Sequence, residues 1–356
     1  MKLPFRSRVK PSQLGLDIGT TAVKLLALSR QGEQLQVEGF AIEPLPVGAV
    51  VDKRIEDPAQ VAAAIRRAQQ RCQCHQRSAV TAVAGSAVMS RIITLPTQLS
   101  ERDLEQQVML EAGQYIPHPL SEVSIDFHLI GATADAADRN DILLAASRTE
   151  NVDMRIDALE QAGLRTAVVE IESNAVLNPL PLLGVTADQV IALFDIGATV
   201  TTLTVVQGRR SRYSREQPFG GRQLTEQIQR RYGMNQAEAQ QAKRHGDGLP
   251  DSYQQELLTP YRESLLQQLV RSLQLCFSAT TLQRVDRVIL AGGGAALPQL
   301  SERLAAQLQM PVTLANPFTS MALASNIDNR QLSHDAPLLL VACGLALRDL
   351  QPDDDR

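Results

Sequence analysis

Residues 14–28 read Leu-Gly-Leu-Asp-Ile-Gly-Thr-Thr-Ala-Val-Lys-Leu-Leu-Ala-Leu, an apolar stretch that breaks at Asp17-Ile18-Gly19-Thr20-Thr21 and resumes at Ala22. The pattern predicts a tight β-hairpin with a polar tip. Gly19 lets a ligand come close to the main chain, and Thr20 and Thr21 set hydroxyls beside exposed N–H groups, a combination that suits a phosphate. Asp17 closes the apolar strand with a carboxylate, which is costly to bury unless it meets a cation or donors; hydrated magnesium beside the phosphate is a natural partner. Taken alone, the tetrapeptide is also an ordinary way to end a strand, since Asp and Gly suit turns.

A second copy changes that balance. Residues 190–208, Val-Ile-Ala-Leu-Phe-Asp-Ile-Gly-Ala-Thr-Val-Thr-Thr-Leu-Thr-Val-Val-Gln-Gly, again give strand, Asp-Ile-Gly tip and β-branched strand, half a chain length after the first. Equivalent hairpins at that spacing imply two similar domains that face each other, each offering a phosphate-binding tip to one nucleotide in the cleft between them. Residues 287–300, Arg-Val-Ile-Leu-Ala-Gly-Gly-Gly-Ala-Ala-Leu-Pro-Gln-Leu, supply a third part. Here a strand runs into Gly292-Gly293-Gly294 and then toward a helix opened by Pro298, so bare backbone can pass close to a purine or sugar. Such a loop is equally a plain strand-to-helix turn.

The two Asp-Ile-Gly hairpins and the Ala-Gly-Gly-Gly loop resemble the phosphate-1, phosphate-2 and adenosine motifs of the actin, sugar-kinase and DnaK-chaperone superfamily, in that order along the chain. A closer resemblance spans nearly the whole sequence. Pro44-Leu45-Pro46, Ala82-Val83-Ala84-Gly85-Ser86-Ala87-Val88, Gln114-Tyr115-Ile116-Pro117, Phe219-Gly220-Gly221-Arg222-Gln223-Leu224-Thr225 and Gly344-Leu345-Ala346-Leu347-Arg348 are similar to segments of the PilM family, actin-like cytoplasmic proteins of type IV pilus assembly. The resemblance implies an α/β, actin-like (ribonuclease H-like) two-domain fold with an inserted subdomain of the FtsA/PilM type.

It also implies a site. ATP with magnesium would be held by Asp17, Gly19, Thr20, Thr21 and Lys24 of the first hairpin, and by Asp195, Gly197, Ala198 and Thr199 of the second. Gly220, Gly221, Gln240, Lys243, Gly292, Gly293 and Gly294 would complete the pocket, with Asp17 and Asp195 meeting the metal through water. Relatives often carry a Glu-x-x-Lys pair on the ribose and nucleotide; this chain has Gln240-Gln241-Ala242-Lys243, and Gln hydrogen-bonds a hydroxyl without the charge-assisted strength of a carboxylate. Glu172 stands where several actin-like ATPases place the group that orients the attacking water; an acidic residue at a helix start also simply suits the helix dipole. Whether ATP is hydrolysed stays open.

Composition sets the outer bounds. At 356 residues and 44% hydrophobic content the chain can bury two cores, and its net charge of −4 argues against binding driven by nucleic-acid phosphates. No tryptophan and 3% aromatics count against base-stacking platforms. No apolar run reaches a membrane span, and the start is too short and broken for a signal peptide, so a cytoplasmic protein is expected; the resemblance implies that it is peripheral on the inner membrane through a partner. Lys2, Arg6, Arg8 and Lys10 form a basic start. The four cysteines read as reduced thiols, because Cys72-Gln73-Cys74-His75 is too tight for the usual zinc spacing.

Along the chain the expected units are a basic tail at 1–10, the first actin-like domain at 11–78 and 149–185, and the inserted subdomain at 79–148. The second domain, with the adenosine motif, follows at 186–335, then a helix returning to the first domain at 336–350 and an acidic tail at 351–356. Asp57-Pro58 caps a helix expected to run to about residue 77, Ser100-Glu101-Arg102-Asp103 opens one that ends before Pro117, and residues 249–282 read as one long helix. In the family, the insertion and the first domain form a groove for the cytosolic N-terminal segment of PilN, an inner-membrane protein; Tyr115, Ile116 and Pro117 are the candidates here, though a helix terminator with core contacts explains them as well.

A sugar or acetate kinase would need a catalytic Asp and a polar substrate pocket, and a DnaK-type chaperone a following peptide-binding domain; neither pattern is present. The reading is a nucleotide-binding scaffold of type IV pilus assembly and twitching motility. A related secretion, competence or mannose-sensitive pilus system, or a small-molecule kinase, remains the alternative. Pilus motor ATPases are further possible partners, and self-association is open because actin relatives polymerise.

Overall fold

Leu14–Ile18 is buried along its whole length, as a strand flanked on both faces must be. It runs antiparallel to Ala22–Gln31, with Asp17 opposite Lys24, and the Gly19 N–H closes the turn on the Ala22 carbonyl at 3.0 Å. On its other side it runs parallel to Ser78–Val83, which pairs in turn with Arg165–Ile171. Gln34–Pro44 and Ala322–Leu323 complete a six-stranded sheet. These relations belong to a computed structural model that describes residues 13–133, 136–208 and 210–350; the expected basic start and acidic tail lie outside the described residues.

The second sheet repeats the plan. Val190–Ile196 runs antiparallel to Thr201–Gln207 and parallel to Arg287–Ala291, with Arg210–Gln217 and Val312–Leu314 at the edges. The Gly197 N–H closes the second turn on the Val200 carbonyl at 3.0 Å, as Gly19 does the first. The sequence repeat is therefore a repeat of hairpin plus parallel neighbour, and both tips end at the same side of their sheets. This arrangement is the actin-like fold.

A third, antiparallel sheet of Val88–Pro96, Ala136–Arg148 and Val123–Thr133 carries the helix Glu101–Tyr115, sealed by Ile93, Leu95, Val108, Ala112, Ile142 and Leu144. This is the insertion, and its sheet starts at Val88. The boundary expected at residue 79 falls inside Ser78–Val83, a central strand of the first sheet, because that strand's apolar residues Val80 and Ala82 are needed in the shared core. At the other end the chain rejoins the first domain before residue 336. Ala322–Leu323 pairs with Gln34–Pro44, and Phe318, Met321 and Leu332 pack with Leu26, Leu28 and Val37.

Helix boundaries shift for local reasons. Asp57 accepts the Gln60 N–H at 3.0 Å and opens the helix Pro58–Cys72, which ends when Gln73 turns left-handed at φ 54°, five residues before the expected stop. The long helix expected over 249–282 is split into a π-helical turn, Gln254–Leu258, and Thr259–Ala279. Of the expected closing helix, Ala336–Leu339 is a 3-10 turn and Leu340–Leu347 is α-helical.

That last helix holds the domains together. Every one of its residues is buried. Leu340, Val341 and Leu345 pack with Ile191, Leu193 and Ile289 of the second sheet, whereas Ala342, Cys343, Ala346 and Leu347 pack with Leu26, Leu28 and Val37 of the first. Two glycines allow the approach: a Cβ on Gly15 would lie 2.0 Å from the Ala342 carbonyl oxygen, and one on Gly344 would lie 1.8 Å from that of Ala175. Backbone on both sides cannot yield as a flexible side chain would. Gly344→Ala is expected to destabilise the protein by about 3 kcal/mol or more, read as a lowered urea midpoint; a midpoint within error of the parent would contradict the packing described.

Candidate functional site

The two tips meet. Thr20 Oγ and Thr199 Oγ lie 3.2 Å apart across the cleft, so the expected phosphate-binding hairpins touch each other directly. Beneath them Asp17 is buried and accepts from Lys24 Nζ at 2.6 Å, across the strand pair that sets them side by side. Asp195 ends the matching strand. Burial pushes its pKa up, partly offset by Lys24 and Lys53. Burial also opposes the charge on Lys24, but Asp17, Asp195 and Glu172 outweigh it and hold the ammonium above its ordinary pKa.

The glycines do what their positions ask. The Gly221 N–H donates to the Gly197 carbonyl at 3.0 Å and the Arg222 N–H to that of Ala198 at 2.7 Å, so the start of helix Gly221–Tyr232 is strapped under the second tip. Gly292, at φ 80°, leaves room that a Cβ could not share with Asp195 Oδ1, which would be 2.3 Å away. The glycine loop thus lies directly against the second hairpin, at Asp195 and Ile196. Gln240 and Lys243 lie on the helix Gln236–His245, and Lys243 Nζ donates to the Gly221 carbonyl at 3.0 Å and Thr225 Oγ at 2.8 Å.

Glu172 faces the same cleft at the start of the short helix Glu172–Ala175. Burial raises its pKa, against the pull of Lys53, whose Nζ lies 2.5 Å from it. Glu172, Asp195 and Glu216 line one small cavity of about 10 Å³ together with Gly85, Ser173 and Thr202. The sequence reading missed Lys53 and Glu216 in the cleft, Ser86, whose N–H Glu216 accepts, and the buried Arg155, which holds the Lys53 turn from behind. Lys53 sits in a two-residue turn, Asp52-Lys53, that carries no glycine, and Glu216 sits in a strand that reads as solvent-facing and basic.

Such a donor set suits a magnesium–phosphate group. Magnesium keeps most of its waters and takes one or two carboxylates plus phosphate oxygens, and Asp17 and Asp195 approach from opposite domains. Among the described residues no group of three or more His, Cys, Asp or Glu is arranged around a metal position. Cys72, Cys74, Cys276 and Cys343 are free thiols.

A family model described as type IV pilus assembly protein PilM matches residues 15–350. The chain belongs to the PilM family. A solved PilM-PilN type IV pilus biogenesis complex superposes with a TM-score of 0.81 and 29% identity, over 96% of this chain and 99% of that one. The ethanolamine utilization protein EutJ from Carboxydothermus hydrogenoformans gives 0.56 at 17% identity, over 96% and 93%. MreB 5 of Spiroplasma citri, bound to AMPPNP, gives 0.50 at 13% identity, over 96% and 97%. The last two share the actin-like fold. Among the described residues of this PilM-family chain, no helix is long and apolar enough to cross a membrane.

The insertion carries a second concave region. Arg91, Leu95, Leu99, Gln107, Tyr115 and Arg139 line a groove of about 610 Å³ between the strand Val88–Pro96 and the helix Glu101–Tyr115. The Arg91 guanidinium stacks 3.8 Å from the centre of the Tyr115 ring. Of the three sequence candidates only Tyr115 lines this groove; Ile116 is buried in the insertion's core and Pro117 is exposed outside it.

Burial, with Arg244 beside it, lowers the Lys243 pKa to about 8. A folded pKa below the unfolded value of 10.5 means that the fold carries less charge here between those pH values than the unfolded chain, and that stability from this group is lost as pH falls through 8. An anion settling against Lys243 would draw the proton back. Titration of Mg-ATP at pH 8.5 in buffers of different ionisation heat is expected to show proton uptake that Lys243→Met abolishes; equal uptake in both proteins would remove Lys243 from the site.

Proposed function

We propose that this PilM-family chain is a nucleotide-responsive scaffold. It binds ATP with magnesium between the Asp17–Thr21 and Asp195–Thr199 tips and docks the cytosolic N-terminal segment of a PilN-type inner-membrane protein on its insertion. The observation that carries the reading is the Thr20–Thr199 contact over the buried Asp17 and the half-buried Asp195. Hydroxyls converge from two domains on one point, with carboxylates and ammonium groups behind them.

The bound metal would neutralise charge on the phosphate oxygens. Everything else falls to this chain's own residues. Asp17 and Asp195 orient the metal's waters, Thr20, Thr21 and Thr199 donate to phosphate oxygens, and Gly292–Gly294 let backbone lie against the nucleoside. The tips must part to admit phosphates, so ligand and domain arrangement are coupled: whatever favours one arrangement must be favoured by it. Glu172 is the group within the cleft able to hold a water. While paired with Lys53 it is a poor acceptor, which fits slow turnover or none.

Support for the partner comes from the similarity to the PilM-PilN complex and from the groove. Val88–Pro96 pairs with Ala136–Arg148 on one side and lies at the edge of its sheet. An extended segment can add to that edge by main-chain hydrogen bonds, with Tyr115 and Leu99 receiving side chains and Arg91 and Arg139 favouring acidic ones.

Calorimetric titration with Mg-ATP, and separately with a peptide of the N-terminal cytosolic residues of the cognate PilN-type protein, tests both sites. Asp17→Ala and Asp195→Ala should each weaken Mg-ATP at least about tenfold, given the usual worth of hydrogen bonds to charged groups, and leave the peptide alone; unchanged ATP affinity in both variants would falsify the cleft assignment. Tyr115→Ala should do the converse, costing the peptide about tenfold or more as aromatic anchors do. Full peptide affinity in that variant would move the docking surface elsewhere.

A further inference from the structure

Lys53 belongs to none of the phosphate motifs, yet it is the cation that touches both sides of the cleft. It is the second residue of the turn joining Val50–Val51 to Arg54–Ile55, where Asp52 has φ 47° and Lys53 φ 62°. Side-chain-bearing residues hold that conformation when their surroundings over-determine it. Arg155 does so here. Fully buried, it donates through Nη2 to the Lys53 carbonyl at 3.0 Å, through Nε to that of Ala82 at 2.6 Å, and through Nη1 to that of Asn151 at 2.8 Å. The turn is thereby bolted to a central strand and to the helix Thr149–Gln161.

From this fixed tip Lys53 Nζ reaches 2.5 Å from Glu172 and 3.9 Å from Glu216. Glu216 comes from the second sheet, and its Oε1 also accepts the Ser86 N–H of the first domain at 3.2 Å. Both carboxylates line the same cavity as Asp195. A phosphate arriving between Thr20 and Thr199 would add negative charge to a cluster that already holds Asp17, Asp195, Glu172 and Glu216. Lys24 is engaged by Asp17 within its own hairpin. Lys53 hangs from a rigid tip on a flexible four-carbon stem, and the charge of Asp195, which ends the strand below the second tip, acts on its ammonium together with Glu172 and Glu216.

We propose that Lys53 reads the terminal phosphate of a nucleoside triphosphate, its ammonium leaving the Glu172–Glu216 pair for that phosphate. The move frees Glu172 to hold a water and loosens the tie of Glu216 to the first domain, whereas a diphosphate leaves the bridge in place. The inference rests on the cleft being the nucleotide site.

The test is titration of the full chain and its Lys53→Gln, Lys53→Arg and Glu216→Gln variants with Mg-ATP and Mg-ADP. Gln already stands at positive φ at residues 73, 299 and 309, so the turn tolerates it. Lys53→Gln is expected to lose about tenfold or more in ATP affinity and to keep ADP affinity within about twofold, the range of one charged hydrogen bond; Lys53→Arg keeps the triphosphate preference. Glu216→Gln weakens the competing bridge, so it should tighten ATP and leave ADP unchanged. Equal loss of both nucleotides in Lys53→Gln, no loss of either, or weaker ATP binding in Glu216→Gln would overturn the proposal while the cleft reading stands. A parent protein that binds neither nucleotide would overturn both.

Discussion

Carboxylates from two domains are brought together out of water, and the chain has to supply the positive charge that keeps them there. Asp17, Glu172, Asp195 and Glu216 face one cleft, with Lys24 and Lys53 between them. Removing one partner from a buried pair costs about 3–5 kcal/mol because it strands the other charge, whereas an exposed helix pair such as Arg230–Glu226 contributes less than about 1 kcal/mol. Any ligand that brings phosphates and magnesium into this cleft replaces one set of charge pairs by another.

The framework behind it is made rigid by close backbone contact. Gly15 and Gly344 let the helix Leu340–Leu347 lie against the strand Leu14–Ile18 on one side and Ala175 on the other. The helix has one apolar face for each domain, so it acts as the shared wall from which both hairpins extend. The insertion stands apart with its own core, and just before its sheet begins the Ser86 N–H donates to Glu216 of the second sheet.

The repeated hairpins were legible because their chemistry is local: a buried strand, an Asp, a Gly that closes the turn and a β-branched return are all written within about ten residues. The glycine loop was legible for the same reason. The insertion's start was not, since Ser78–Val83 and Val88–Pro96 are both apolar, and only pairing distinguishes a central strand of one sheet from an edge strand of another. Lys53 and Glu216 were invisible because their meaning is tertiary. One lies in a turn without glycine, the other in a strand of alternating basic residues, and 163 positions separate them. At Ile116 the reading as a helix end with core contacts is the one the packing bears out, while Tyr115 beside it faces the groove.

A crystal structure of the protein with magnesium and a non-hydrolysable ATP analogue tests the central claim most directly. The account predicts phosphates lying between Asp17–Thr21 and Asp195–Thr199, with the Thr20–Thr199 contact broken. A nucleotide bound elsewhere, with the two threonines still in contact, would contradict it.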